Sequence, residues 1–192
     1  MPLKTLVKVS KISNLSDARY CSGMGVEMLG FRVIPGKEDY MPPELFQDIR
    51  GWISGPKVIA ELYGLSNPEE IEFVIQTYSP DYFELTYSEY KSFRQVLSLP
   101  CIVYLPFGTV NTESINNDPN ISYVLVDEQT HCSHISTPYP VLIKIASIEK
   151  LNEKLAEGCF KGFVLDGPKE LRPGVTNYEQ LGGILEALDA DV

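Results

Sequence analysis

Lys8-Val9-Ser10-Lys11-Ile12-Ser13-Asn14 closes an apolar, β-branched run that begins at Thr5 and passes straight into a helix-start pattern at Asn14 and Ser16. A buried strand followed at once by a helix is one βα unit, and the same alternation recurs along the chain. Strands are predicted at Leu3 to Val9, Met28 to Ile34, Lys57 to Leu62, Tyr82 to Leu85, Cys101 to Leu105, Tyr123 to Val126, Val141 to Ile145 and Gly162 to Leu165. Several are nearly continuous apolar stretches, as parallel strands buried on both faces require.

Helix starts fall between these strands. Met41-Pro42-Pro43-Glu44 opens the second helix. Asn67-Pro68-Glu69-Glu70 combines a capping amide, a proline in the first turn and two carboxylates at the positive end of the helix dipole. Thr176 or Asn177 caps a last helix that runs to about Leu188. Glu128 to Pro140 is too short and loop-like for a full helix, so the sixth helix is expected to be missing or a single turn. The fifth is expected to be weak, because Asn116-Asn117-Asp118-Pro119 interrupts it. Eight such units point to a small (β/α)8 TIM barrel of the α/β class, although 192 residues would also permit a doubly wound sheet.

A net charge of −10 argues against nucleic acid and anionic membranes, which are bound through basic patches. The apolar runs are strand-sized, below the ~18 residues that span a bilayer, and the first residues read as a strand rather than a secretory signal. Cys21, Cys101, Cys132 and Cys159 show no paired spacing, so reduced thiols in a cytoplasmic protein are expected.

The opening stretch also resembles K-[IV]-C-G-[IL]-T-N of the phosphoribosylanthranilate isomerase family of tryptophan biosynthesis, through Lys8, Val9, Ile12 and Asn14. The resemblance continues in order through Leu29-Gly30-Phe31 with Pro35 and Tyr40, Phe83-Glu84-Leu85-Thr86, Val126-Asp127 and Pro173-Gly174-Val175-Thr176-Asn177. It favours the barrel over the open sheet, and the length, with no linker or low-complexity segment, fits one domain over residues 1–192. It also implies a cofactor-free Amadori isomerisation of N-(5'-phosphoribosyl)anthranilate. In that reaction an acid protonates the furanose oxygen and a base removes a proton beside the imine.

By the resemblance, Asp127 stands at the general-acid position and Ser10 at that of the basic Cys. A hydroxyl is a far weaker acid than a thiol near ~8.5, so Ser10 needs a partner to act as a base. The family's anthranilate-binding Arg maps to Asp39. Its glycine-rich phosphate loops map to Glu128-Gln129-Thr130-His131 and Ile145-Ala146, and a phosphate-binding Ser maps to Asp166. Side chains with a Cβ block the close backbone approach that phosphate needs. The parent activity is therefore expected to be lost or strongly reduced. This leaves a binding or regulatory barrel, or an enzyme with new chemistry that uses Lys11, Glu84 and Asp127.

Lys11, Arg32, Glu84, Lys144 and Asp166 are placed around the C-terminal mouth, either as a remodelled ligand site or as a self-neutralised charge network. The expected ligand is a small molecule, and the expected oligomer a monomer or homodimer. His131-Cys132-Ser133-His134 lacks metal-site spacing and reads as a solvated loop, with no metal.

Overall fold

In the computed structural model, residues 3–108, 115, 118–168, 170–172 and 175–190 are described, with 170–172 and 175 as backbone alone. Eight parallel strands close a barrel: β1 (Leu6–Ser10), β2 (Met28–Arg32), β3 (Lys57–Glu61), β4 (Tyr82–Thr86), β5 (Cys101–Leu105), β6 (Ile121–Val126), β7 (Val141–Lys144) and β8 (Gly162–Asp166). β8 returns to β1 in register from Leu6↔Gly162 to Ser10↔Asp166, so the two ends of the chain meet in one seam. Each predicted strand is present within a few residues. The first begins at Leu6, because Leu3 instead forms an antiparallel bridge with Asp189.

Outside the barrel lie α1 (Leu15–Gly23), α2 (Pro43–Arg50), α3 (Glu69–Tyr78), α4 (Tyr87–Phe93), α5 (Ile148–Glu157) and α6 (Glu179–Ala187). Asn14 caps α1 by accepting from Asp17 N–H at 2.9 Å, and Asn67 and Asn177 accept from the first amides of α3 and α6. The sixth connection is, as expected, a single 3₁₀ turn at Cys132–His134. Most of the fifth, including Asn116 and Asn117, lies outside the described residues, as do Pro173 and Gly174. A short hairpin of β9 (Glu170–Arg172) and β10 (Val175–Thr176), not predicted, follows β8.

Strand periodicity sorts the side chains into two cores. Val7, Val9, Leu29, Phe31, Val58, Phe83, Val103, Val124, Ile143 and Phe163 face outward and pack under the helices. Met28, Ile59, Ile102, Leu125, Leu142 and Val164 fill the barrel axis. Above that layer the axis turns polar.

The expectation of four reduced thiols is corrected: Cys132 and Cys159 form a disulfide, with Cα atoms 6.0 Å apart. Their 27-residue separation carries no pairing signal, because the fold alone brings α5 beside the sixth connection. Cys21 and Cys101 are free and buried, and burial pushes both thiols up to about 12. Among the described residues, no helix is long and apolar enough to cross a membrane.

Candidate active site at the barrel mouth

Arg32, Glu61 and Glu84 stand side by side at matching heights on β2, β3 and β4. All point inward, as does Lys8, two residues below the end of β1. Lys8 Nζ is completely buried and lies 2.6 Å from Glu61 Oε1, 2.9 Å from Glu84 Oε2 and 2.5 Å from Ser10 Oγ, to which it donates. Arg32 Nε donates to Glu61 Oε2 at 3.1 Å, and Tyr63 OH donates to Glu84 Oε1 at 2.7 Å. Two cations and two carboxylates thus neutralise one another where a lone charge would be very costly.

Gly30 makes this packing possible. A methyl group there would collide with Glu61 Oε1 and lie 2.8 Å from Lys8 Nζ. The glycine of Leu29-Gly30-Phe31 is therefore required by the ion cluster beside it, and its φ is not in the left-handed region.

Burial disfavours the charged form of each group, but the neighbours decide the outcome. For Lys8, burial is outweighed by Glu61 and Glu84, and its pKa rises. For Glu61, burial is outweighed by Lys8 and Arg32, and its pKa falls. For Glu84, burial and the Glu61 charge prevail over Lys8 and Tyr63, and its pKa rises. Glu84 is thus the carboxyl of this cluster most ready to hold a proton.

A second charge group closes the mouth. Asp166, at the end of β8, lies 3.0 Å from Lys11 Nζ and 2.9 Å from Lys144 Nζ. Burial tends to raise its pKa, but Lys144 and Lys11 more than offset this and lower it. Lys11 reaches Asp166 from a left-handed backbone conformation (φ 58°), a region where the glycine of the resembled motif would carry no strain.

A cavity of ≈ 290 Å³ lies between the two charge groups, lined by Ser10, Lys11, Arg32, Tyr63, Glu84 and Asp166 among others. A second, of ≈ 370 Å³, lies between the ends of β7 and β8 and the start of α6. Lys144 and Asp166 line both cavities, so their ion pair forms the partition between them. In the second cavity, two backbone amides are already occupied: Ile145 N–H donates to Val164 O and Gly167 N–H to Ser10 O.

Of the residues singled out from sequence, Ser10, Lys11, Arg32, Glu84, Lys144 and Asp166 are brought together. Asp127 stands to one side, where it accepts from Tyr104 OH at 2.8 Å and from Phe107 N–H at 3.0 Å. It is thus held by neutral donors rather than by Lys11, whose partner is Asp166. Asp39 is not in the cavity; it is exposed in a left-handed turn after β2. Arg32 pairs with Glu61 rather than with Glu84, Asp127 or Asp166.

Lys8, Glu61, Tyr63 and Tyr104 were missed as site residues. For Lys8 and Glu61 the available signal was a charge at an inward position of an otherwise apolar strand, as in Val58-Ile59-Ala60-Glu61, whereas the two tyrosines gave none.

An eight-stranded parallel βα-barrel with a polar C-terminal mouth is the class that these features define. Solved structures similar to it over nearly its whole length include several phosphoribosylanthranilate isomerases. One from Thermus thermophilus is 22% identical with a TM-score of 0.78, covering 95% of this chain and 98% of that one. TrpF from Jonesia denitrificans is 10% identical with a TM-score of 0.76, covering 96% of each. A third isomerase, in complex with reduced 1-(o-carboxyphenylamino)-1-deoxyribulose 5-phosphate, is 15% identical with a TM-score of 0.70, covering 95% and 97%. At these identities the likeness establishes the fold. No protein-family model and no curated protein matches the chain.

Proposed function

We propose that this chain is a divergent relative of the phosphoribosylanthranilate isomerases whose parent isomerisation is lost or strongly reduced. Its barrel mouth then serves as a site for a small polar molecule. The observation that carries this reading is the state of Ser10. Its hydroxyl accepts a 2.5 Å hydrogen bond from Lys8, which is itself held by Glu61 and Glu84. A hydroxyl beside a locked ammonium cannot take the proton that the family's thiolate takes, and losing a general base costs ~10² to 10⁴ in rate.

The ligand side supports the same reading. The compound held by the third isomerase carries a 5-phosphate. Here the Asp166 carboxylate stands at the position that the resemblance assigns to phosphate, already bridged by Lys11 and Lys144. A dianion entering there would have to displace it.

One observation favours a second reading, an enzyme with different chemistry. Glu84 faces the cavity with raised proton affinity and a hydrogen bond from Tyr63, the arrangement of a proton donor. Lys11 lines the same cavity, and Asp127 stands to one side of it beside Tyr104.

The setting we assign is the cytoplasm, with the protein as a monomer or homodimer. Complementation of a tryptophan auxotroph lacking the isomerase, together with assay of the purified protein, is the direct test. Failure to complement and negligible turnover are expected. Turnover of phosphoribosylanthranilate at ~1 to 10³ per second would overturn the reading.

A further inference from the structure

Residues 127–140 run where a sixth helix would lie, and a compact cluster away from the mouth clamps them to α5. Cys132 N–H donates to Glu157 Oε2 at 3.0 Å, and His131 Nδ1 lies 3.1 Å from Glu157 Oε1. Lys154 Nζ reaches both Glu157 Oε1 at 2.6 Å and Thr130 O at 3.0 Å. The ligating atoms of Cys132, Glu157 and Cys159 lie within 4.8 Å of one another, and those of His131, Glu153 and Glu157 do likewise. Glu157 belongs to both groups.

We propose that, when Cys132 and Cys159 are dithiol rather than disulfide, this cluster binds a thiophilic tetrahedral divalent cation, zinc above all. The ligands are Cys132, Cys159, Glu157 and His131. The exposed His131 ring turns from its contact with Glu157 to complete the set. Two sulfurs with one imidazole and one carboxylate suit zinc, whereas magnesium and calcium prefer all-oxygen sites.

The chemistry balances. A dithiol reductant gives two electrons and two protons to the Cys132–Cys159 bond and closes to its own disulfide, leaving two thiols on the protein. Zinc then displaces the two thiol protons as two Zn–S bonds form. Two thiolates and one carboxylate leave the zinc complex with a single negative charge, which the Lys154 ammonium beside Glu157 neutralises.

The donors arrive in two close pairs, His131 with Cys132 and Glu157 with Cys159, on the two segments that the disulfide otherwise joins. Metal and disulfide are therefore alternative cross-links of the same place. The sixth connection stays fastened in a reducing compartment as well as in an oxidising one. The disulfide hides this site from a reading of motif spacing, since half of its ligands lie on α5 and the turn after it.

The test uses the full chain, reduced with a dithiol, stripped of metal and titrated anaerobically with Co²⁺. A sulfur-to-cobalt charge-transfer band and tetrahedral ligand-field bands should appear at about one equivalent and be bleached by Zn²⁺. Zinc should raise the thermal midpoint of the reduced chain and leave that of the oxidised chain unchanged. Cys132→Ser and Cys159→Ser should each lose the charge-transfer intensity. His131→Ala and Glu157→Gln should weaken Co²⁺ binding about tenfold or more, the scale at which even supporting residues affect metal sites.

Counting reactive thiols on the native chain is independent of any variant's folding. Cys132 and Cys159 should react after reduction and become protected by zinc, while the buried Cys21 and Cys101 stay silent. Absence of the cobalt bands in the reduced chain would overturn the proposal, as would equal binding by the oxidised chain. Unchanged affinity in both His131→Ala and Glu157→Gln would overturn the ligand set.

Discussion

Lys8 touches two carboxylates and a hydroxyl without any exposure to water, so removing its charge leaves buried Glu84 without a cation and Glu61 held by Arg32 alone. Lys8→Met should destabilise the fold by about 3–5 kcal/mol in urea denaturation, and adding Glu61→Gln and Glu84→Gln should recover part of that loss. Gly30→Ala forces a methyl into the same cluster and should cost about 1–3 kcal/mol, with Lys8 or Glu61 displaced. The titrations of these groups set the pH limits of stability. Glu61 and Asp166 have folded pKa values below their unfolded ones, so their contribution is present above about pH 4 and lost as pH falls through the folded values. Lys8 has a raised folded value, so its contribution is present below about pH 10 and lost as pH rises through that value. Glu84 acts the other way: it favours the folded state while protonated and gives up that contribution as pH rises through its folded value. Urea midpoints measured across pH should fall at both extremes, and Asp166→Asn should flatten the acid limb.

At the scale of elements, the barrel tolerates a connection without a helix because covalent and ionic contacts replace the missing packing. The disulfide closes a loop of 27 residues, which by chain entropy is worth about 3–4 kcal/mol. Cys132→Ser/Cys159→Ser, measured with a chelator present, should lower unfolding stability by about 2–4 kcal/mol. The loss should exceed that of reduction in the presence of zinc. The N-cap of α1 offers a simpler case. Asn14→Ala removes the acceptor for Asp17 N–H and should cost about 1 kcal/mol by the same measurement.

Across the whole molecule, a chain of net charge −10 carries a nearly neutral mouth. There Lys8 pairs with Glu61 and Glu84, Arg32 with Glu61, and Lys11 and Lys144 with Asp166, while Asp127 is held to one side by Tyr104. Among the described residues the mouth carries no clear excess of cations to draw in a phosphorylated substrate, and Asp166 already engages Lys11 and Lys144. Calorimetric titration with phosphate should therefore show negligible binding by the native chain and measurable binding by Asp166→Ser, which frees Lys11 and Lys144. Tight binding by the native chain, unaffected by Lys11→Ala or Lys144→Ala, would show that a backbone phosphate cradle is intact. Ser10→Cys/Lys11→Gly should leave the parent isomerisation unrestored, because these changes rebuild the base and leave the anion side as it is.

The linear order of residues by itself determined the βα units, and their count together with the motif resemblance chose the barrel over an open sheet. Strand spacing, apolar runs and the caps at Asn14 and Asn67 are local, and local signals suffice to specify eight βα units and a stunted sixth connection. It also marked Ser10, Lys11, Arg32, Glu84, Lys144 and Asp166 as mouth residues, because each lies at or near the C-terminal end of a strand. Which charge meets which was decided only in three dimensions. Barrel closure sets the register that joins Ser10 to Asp166 and lines up Arg32, Glu61 and Glu84. Ion pairing across strands depends on that register rather than on sequence distance. So Lys8 emerged as the buried centre of the site, Asp127 moved to the side of Tyr104, and Asp39 stayed in solvent. For the same reason Cys132 found Cys159: helix packing, which no spacing motif records, brought two distant segments within a bond length.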